Sequence, residues 1–261
     1  MSPATMNTAF ANPFDLTGKV AMVTGSRAGL GQAIAVALSQ AGACIVGVDR
    51  GPAEETRAAI EAQGGIFLPV TADLATTAGL PAIVQAALDR FGALDILVNN
   101  AGIIRRADAL DFTEEDWDAV VDVNLKSAFF LAQAAARAML AGGRGGKIIN
   151  IASMLSFQGG IRVASYTSAK SGLMGLTKLL ACEWAARGIN VNAIAPGYMA
   201  TNNTAVLRAD AERNGQILGR IPAGRWGAPA DLGGAAVFLA SEASAYVHGI
   251  TIPVDGGWLA R

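Results

Sequence analysis

The chain reads as an α/β protein: a single-domain, doubly wound parallel sheet of seven strands with helices on both faces. Three observations predict this Rossmann-type architecture. Short apolar runs rich in β-branched residues alternate with longer segments of helical spacing, and no linker interrupts the alternation. The strand runs are apolar at successive positions, as strands covered on both faces must be. The first run leads at once into glycines that open a helix, the place where such folds bind dinucleotides.

Residues 19–24 (KVAMVT) are the first strand. In Gly29–Gln40, Leu30, Ile34, Ala37 and Leu38 follow helical spacing. Cys44–Asp49 (CIVGVD) is the second strand. Residues 53–63 form a charged amphipathic helix stopped by Gly64 and Gly65. Residues 66–71 are the third strand, Leu80–Phe91 a helix and Ile96–Asn99 the fourth strand. Thr113 caps the next helix, with Asp116 in place of the usual Glu or Gln of a capping box. That helix is expected to run on through Phe129 and Phe130 to about residue 140, where Gly142 and Gly143 end it. Residues 147–151, 190–195 and 250–254 complete the strands, and a helix carrying Tyr166 reaches about residue 187. Right-handed crossovers then bring Thr24, Asp49, Asn99, Ser153 and Pro196 to the carboxyl edge of the sheet.

The bulk numbers suit this reading. Of 261 residues, 52% are hydrophobic and only 16% charged, which allows a large core and suggests surface buried between subunits. A formal net charge of −1 without a basic stripe excludes a nucleic-acid partner. No run of about 18 apolar residues is free of charges or breaks, so no membrane helix is expected. Residues 1–14 lack the basic start and apolar run of a secretory signal and read as a flexible arm before a domain spanning 15–261. Cys44 and Cys182 are expected as buried thiols in a reducing cytoplasm. His248 is the only histidine, so no metal site is expected.

Residues 24–31 (TGSRAGLG) space Gly25, Gly29 and Gly31 as G-x-x-x-G-x-G, with Arg27 and Leu30 inside the turn. Glycines permit a tight turn and close approach to a pyrophosphate at the helix N-terminus. Asp49 ends the second strand, where a carboxylate accepts from the adenosine ribose hydroxyls and repels a 2′-phosphate. NAD(H) is therefore expected over NADP(H), although Arg27 or the adjacent Arg50 is an alternative phosphate clamp. Asp73 ends the third strand and either reaches the adenine or, with Leu74, caps a turn.

Residues 153–170 (SMLSFQGGIRVASYTSAK) hold Ser153 and a Tyr166-x-x-x-Lys170 pair. Residues four apart share one helix face, and an ammonium beside a phenol favours the phenolate. A strand-end hydroxyl can join them at one substrate oxygen, a set suited to proton transfer at an alcohol or carbonyl. With the glycine turn, the run Asn99, Asn100, Ala101 and Gly102, then Asn124 and Pro196-Gly197, the chain resembles the short-chain dehydrogenase/reductase family over residues 15–261.

That resemblance implies a homotetramer and hydride transfer between nicotinamide and a carbonyl or alcohol. It implies that Tyr166 is the general acid or base, that Lys170 lowers its pKa and holds the nicotinamide ribose, and that Ser153 binds the substrate oxygen. It also implies that Asn124 holds a water of a proton relay. Asn100, Ala101 and Gly102 would lie beside the cofactor, with Pro196, Gly197, Met199 and Thr201 by the carboxamide. A nucleotide-binding protein without catalysis would be expected to lack Tyr166 or Lys170.

Residues 145–163 (GGKIINIASMLSFQGGIRV), 195–204 (APGYMATNNT) and 220–227 (RIPAGRWG) resemble family members acting on deoxy keto sugar acids. The implied reaction is NADH-linked reduction of 3-deoxy-D-glycero-2,5-hexodiulosonate in breakdown of pectin-derived uronates. Alternatives are an alginate-derived 4-deoxy-L-erythro-5-hexoseulose uronate and a 3-oxoacyl carrier-protein substrate. A carboxylate calls for a cationic fork. Arg105, Arg106 and Arg162 fall near the carboxyl edge of the sheet; a salt bridge or solvated surface is the alternative for each, and of the three Arg106 and Arg162 are preferred. Gln158, Asn202 and Asn203 suit sugar hydroxyls, and Met154, Tyr198, Met199 and Trp226 suit pocket walls. Residues 200–227 lack a strand and are expected to form a lid.

Overall fold

The computed structural model describes residues 12–261. Seven strands form one sheet: β1 (Val20–Thr24), β2 (Cys44–Asp49), β3 (Phe67–Thr71), β4 (Ile96–Asn99), β5 (Gly146–Ile151), β6 (Ile189–Pro196) and β7 (Thr251–Val254). They are all parallel, in the order β3-β2-β1-β4-β5-β6-β7. The order reverses between β1 and β4, which opens a crevice beyond their carboxyl ends. Pro69 and Pro253 lie in β3 and β7, the two edge strands, where a missing ladder donor is tolerated.

Nine helices connect and cover the strands among the described residues: α1 (Gly29–Gln40), α2 (Glu54–Glu61), α3 (Leu80–Phe91), α4 (Glu114–Val121), α5 (Ser127–Ala141), α6 (Ala164–Trp184), α7 (Ala205–Ala209), α8 (Ala211–Leu218) and α9 (Gly233–Ala240). Side chains of β1 alternate between faces with period two. Ala21 and Val23 pack with Ile34, Ala35 and Leu38 of α1 and Ala236 and Leu239 of α9. Val20 and Met22 pack on the other face with Ile83 and Val84 of α3 and Leu131 and Ala135 of α5. Both layers of the doubly wound fold are therefore written into a five-residue strand.

Three expectations change. The helix after Thr113 is not continuous: a π-helical turn, Asp122–Lys126, separates α4 from α5. There Ser127 N–H bonds the Asp122 carbonyl five residues back, and the turn holds Asn124. Thr113 does accept from Asp116 N–H at 3.2 Å, but the Asp116 carboxylate pairs with Arg105 at 3.1 Å, so the second half of a capping box is not made. Cys182 is exposed on the outer face of α6 and Cys44 is half-buried, so neither is the fully buried thiol expected. Residues 1–11 of the expected arm lie outside the described residues; Pro13 and Phe14 form a turn whose Pro13 carbonyl accepts from Ala243 N–H at 3.0 Å. Among the described residues no helix is long and apolar enough to cross a membrane, and no three His, Cys, Asp or Glu residues group to hold a metal.

Candidate active site

The glycine turn opens at the switch point. Gly25 (φ 68°) and Gly29 (φ 62°) adopt left-handed backbone that side chains rarely take. A Cβ on Gly31 would stand 2.1 Å from the Gly25 carbonyl oxygen and 2.4 Å from Asn100 Nδ2. Only glycine permits this approach. Asn100 Nδ2 donates to the Thr24 and Gly25 carbonyls at 2.8 and 3.3 Å, and Thr24 Oγ1 accepts from Asn100 and Ala101 N–H, both at 3.0 Å. The ends of β1 and β4 are thus stitched together. No side chain caps α1 at Ala28, so its first N–H groups remain available to an anion. Leu30 packs its side chain onto the core, leaving backbone to line the turn.

Asp49 accepts from Arg27 N–H (3.2 Å) and Arg50 N–H (2.8 Å), and its carboxylate lies 3.8 Å from Arg27 Nε. The carboxylate and its competing cation therefore share one spot at the end of β2. Asp73 accepts from Ala75 N–H at 3.0 Å and caps a turn, while Leu74 is buried in the core. The Thr201 methyl lies over the glycine turn, 3.8 Å from where a Gly29 Cβ would be. Pro196 ends β6, and Gly197 passes so near Asp255 that a Cβ would sit 2.6 Å from its Cα. Met199 does not wall an open pocket: it is buried, with its sulfur 2.2 Å from where a Gly227 Cβ would project.

Tyr166 and Lys170 lie on α6, and Ser153 caps the short 3-10 turn Met154–Ser156 that follows β5. Ser153 Oγ accepts from Leu155 N–H at 3.1 Å. Lys170 is buried, and its Nζ donates to the Ile151 carbonyl at 2.6 Å. Burial pulls its pKa down to about 8. Burial raises the Tyr166 phenol above its ordinary value, while the nearby Ser153 hydroxyl and the charge of Arg106 pull it back. The Lys170 ammonium stands 5.8 Å from the Tyr166 ring centroid and is held on the Ile151 carbonyl. Asn124 is buried, its Oδ1 accepting from Ile103 N–H (2.8 Å) and its Nδ2 donating to Ile103 O (2.9 Å). Its side chain is used up in placing the loop after β4. A Cβ on Gly102 would come within 3.3 Å of that Oδ1.

The three arginines divide. Arg105 pairs with Asp116, and Arg162 pairs with Asp108 at 3.2 Å from a left-handed backbone (φ 63°). Arg106 has no carboxylate partner among the described residues; its Nη2 reaches only the Asn203 carbonyl, at 3.5 Å. Met154, Tyr198 and Trp226 do come together, in a cluster with Ile217 and Ile221. Its centre is a residue with no local signal, Trp258, whose ring meets Tyr198 edge-on at 4.8 Å; Tyr198 meets Trp226 at 5.4 Å. Gln158 Oε1 accepts from Trp258 Nε1 (3.1 Å) and Arg220 Nη2 (3.4 Å), so its oxygen holds the wall and its Nε2 is the group left for a sugar hydroxyl. Arg220 stacks over Trp258 at 4.1 Å. The one clue to Trp258 in the sequence is its place just beyond the last strand, at the carboxyl edge.

The glycine cradle fits a dinucleotide pyrophosphate, and the groups beyond it suit proton transfer at a carbonyl or alcohol oxygen. Comparison with known proteins agrees. Residues 25–259 match the family model described as enoyl-(acyl carrier protein) reductase. The 2-dehydro-3-deoxy-D-gluconate 5-dehydrogenase of Escherichia coli (strain K12) is 63% identical over 248 residues, 95% of this chain and 98% of that protein. A solved structure from Agrobacterium tumefaciens with bound NADP is 60% identical (TM-score 0.91), covering 96% of this chain and 100% of that one. A gluconate 5-dehydrogenase from Burkholderia cenocepacia J2315 in complex with NADP and tartrate is 43% identical (TM-score 0.90), covering 95% and 98%. The chain belongs to the short-chain dehydrogenase/reductase family and is a dehydrogenase that works with a nicotinamide dinucleotide.

Proposed function

We propose that this dehydrogenase reduces a deoxy keto sugar acid, 3-deoxy-D-glycero-2,5-hexodiulosonate, to 2-dehydro-3-deoxy-D-gluconate in uronate catabolism. The observation that carries the reading is Arg106: a cation free of carboxylate partners among the described residues, close enough to Tyr166 to act on its phenol. A substrate with a carboxylate on Arg106 brings its carbonyl to Tyr166 and Ser153. The names of the Escherichia coli and Burkholderia relatives, and the tartrate held by the latter, support an acidic substrate.

The dinucleotide, when bound, supplies hydride to the carbonyl carbon. Backbone groups at Gly25, Gly29, Leu30 and Gly31 hold its pyrophosphate, and Asn100, Ala101 and Gly102 lie beside it. Asp73 and Leu74 border the adenine end, and Pro196, Gly197, Met199 and Thr201 border the nicotinamide. Ser153 orients the substrate oxygen, and Tyr166 delivers its proton to that oxygen. Lys170, fixed by the Ile151 carbonyl, contacts the nicotinamide ribose and stands behind Tyr166 in the proton path. Asn124 builds the loop that carries Arg106 and leaves its own backbone in the π-helical turn to hold a relay water.

Arg162 is held in reserve on Asp108, and Asn203 offers Arg106 its carbonyl. Residues 200–227, with α7 and α8, close over the substrate, and Trp226 and Tyr198 form the inner wall with Met154 and Gln158 behind them. NADH is preferred through Asp49, and NADPH is accepted less well when Arg27 leaves Asp49 for a 2′-phosphate; the NADP-bound relatives weigh toward the second use. The enzyme is a cytoplasmic homotetramer in this reading.

A 3-oxoacyl carrier-protein substrate is the second reading, supported by the description of the matched family. An exposed cation at the mouth suits a free acid better than an apolar acyl chain. The deciding experiment is an NADH-oxidation screen of purified enzyme against 3-deoxy-D-glycero-2,5-hexodiulosonate, the alginate-derived uronate and a 3-oxoacyl thioester. Greatest kcat/KM on the first supports the assignment, and greatest kcat/KM on either of the others replaces it.

A further inference from the structure

At the opposite edge of the sheet, a full strand length of about 16 Å from the catalytic groups, the amino ends of β4, β5 and β6 surround a second cavity. It measures about 240 Å³ and is lined by Lys19, Asp95, Arg144, Lys147, Asn190 and Glu242 together with bare glycine backbone. We infer that this cavity is a binding site for a small oxyanion, a compound bearing a carboxylate or phosphate, held by Lys147, Lys19 and Arg144.

Lys147 is the main observation. It is buried in β5, where lysine is rare without a partner. Its Nζ has one acceptor, Asn190 Oδ1 at 3.1 Å, although an ammonium carries three donors. Asn190 is fixed in that orientation, because its Nδ2 donates to the Ala245 and Val247 carbonyls, both at 3.0 Å. Neither Lys147 nor Lys19 makes an ion pair among the described residues. Burial lowers the Lys147 pKa; the Glu242 charge raises it, and the Lys19 charge, a smaller effect, lowers it. A buried ammonium with donors to spare, beside a second cation that makes no ion pair, favours an anion in the cavity.

The acids nearby do not fill that role. Asp95 is fully used, accepting from Val20 N–H at 2.9 Å and pairing with Arg144 at 2.8 Å, which also steadies Arg144 at the rim. Glu242 is exposed and not bonded to either lysine. The cavity exists because the two loops beneath it meet through glycines. A Cβ on Gly145 would stand 2.2 Å from the Gly188 carbonyl oxygen, and both residues are left-handed (φ 65° and 79°). Its volume falls below the range of drug-sized sites, which begins at about 300 Å³, and suits a small acid.

The test is calorimetric titration and thermal melting of the full-length protein with inorganic phosphate and with malonate. Cofactor is kept saturating so that the glycine cradle is filled, and chloride at equal ionic strength is the control. Saturable binding is expected, weakened roughly tenfold or more in Lys147→Met, which keeps side-chain volume and removes the charge. Glu242→Gln should tighten binding by about threefold, since only a competing carboxylate is lost. A response to phosphate alone marks a phosphate-bearing ligand, and a response to malonate alone marks a carboxylate. Equal binding by wild type and Lys147→Met, weaker binding in Glu242→Gln, or no saturable response to either anion overturns the site. Should Lys147→Met not fold, the Glu242→Gln comparison still decides.

Discussion

Lys170 donates to the Ile151 carbonyl at 2.6 Å while standing 5.8 Å from the centre of the Tyr166 ring. One buried ammonium thus ties α6 to the end of β5 and places the tyrosine over the strand that delivers Ser153. The charge of Arg106 works against the burial that raises the Tyr166 phenol.

That anchor has a measurable pH signature. Folding lowers the Lys170 pKa from 10.5 to about 8, so the folded protein binds fewer protons than the unfolded chain between those values. This group therefore opposes folding below about pH 8, and the penalty is relieved as the pH rises toward 10.5. Between pH 7.5 and 10, wild type should gain roughly 2–3 kcal/mol relative to Lys170→Met in denaturant unfolding. Parallel curves for the two proteins would show that Lys170 is not desolvated as described.

Tyr166→Phe removes the proton donor and little else. Turnover should fall by roughly 10²- to 10⁴-fold while NADH fluorescence titration still reports binding. Activity within a few-fold of wild type would assign the acid to another group.

Arg106→Ala tests both sides of one guanidinium. KM for a carboxylate substrate should rise roughly 10- to 100-fold, with little change for a neutral diketone. The phenol should also titrate at higher pH, because a cation that lowers its pKa is gone. Equal effects on acid and neutral substrates would remove Arg106 from the substrate site.

Asp49→Ala frees Arg27 from its carboxylate partner, 3.8 Å away. The ratio of kcat/KM for NADH over NADPH should fall by roughly tenfold or more. An unchanged ratio would place the selectivity elsewhere.

Gly31→Ala sets a methyl 2.1 Å from the Gly25 carbonyl oxygen. The turn must deform, and both NADH affinity and stability should suffer, the latter by roughly 1–3 kcal/mol. Normal titration by either dinucleotide would mean that the turn is softer than its geometry implies.

Sequence legibility followed the range of the interactions. The alternating runs, the glycine turn and the Tyr166–Lys170 pair are local patterns, and each appears where the sequence predicts. The π-helical turn has no local signal in the sequence, and its Asn124 bonds Ile103 across a loop. The sequence favours Arg106 and Arg162 alike, with Arg105 beside them; only the fold brings Asp116 and Asp108 within ion-pair reach of Arg105 and Arg162. Trp258 and Gln158 lie 100 positions apart, and no periodicity links them.

Read alone, the amino-acid sequence determined the strand order, the glycine turn of the dinucleotide cradle and the Tyr166–Lys170 pair as candidates for proton transfer. Those depend on backbone preference and on spacing within a few residues. The tertiary structure decided which of the three arginines lacks a carboxylate partner among the described residues and which side chains cluster around Tyr198 and Trp258. These depend on the distance between charged or aromatic groups brought together by the fold, and Coulombic and stacking energies act through that distance. Residues 153–170 show both parts at once: the tyrosine and lysine are legible from their spacing, while the carbonyl that holds the lysine comes from the strand before them.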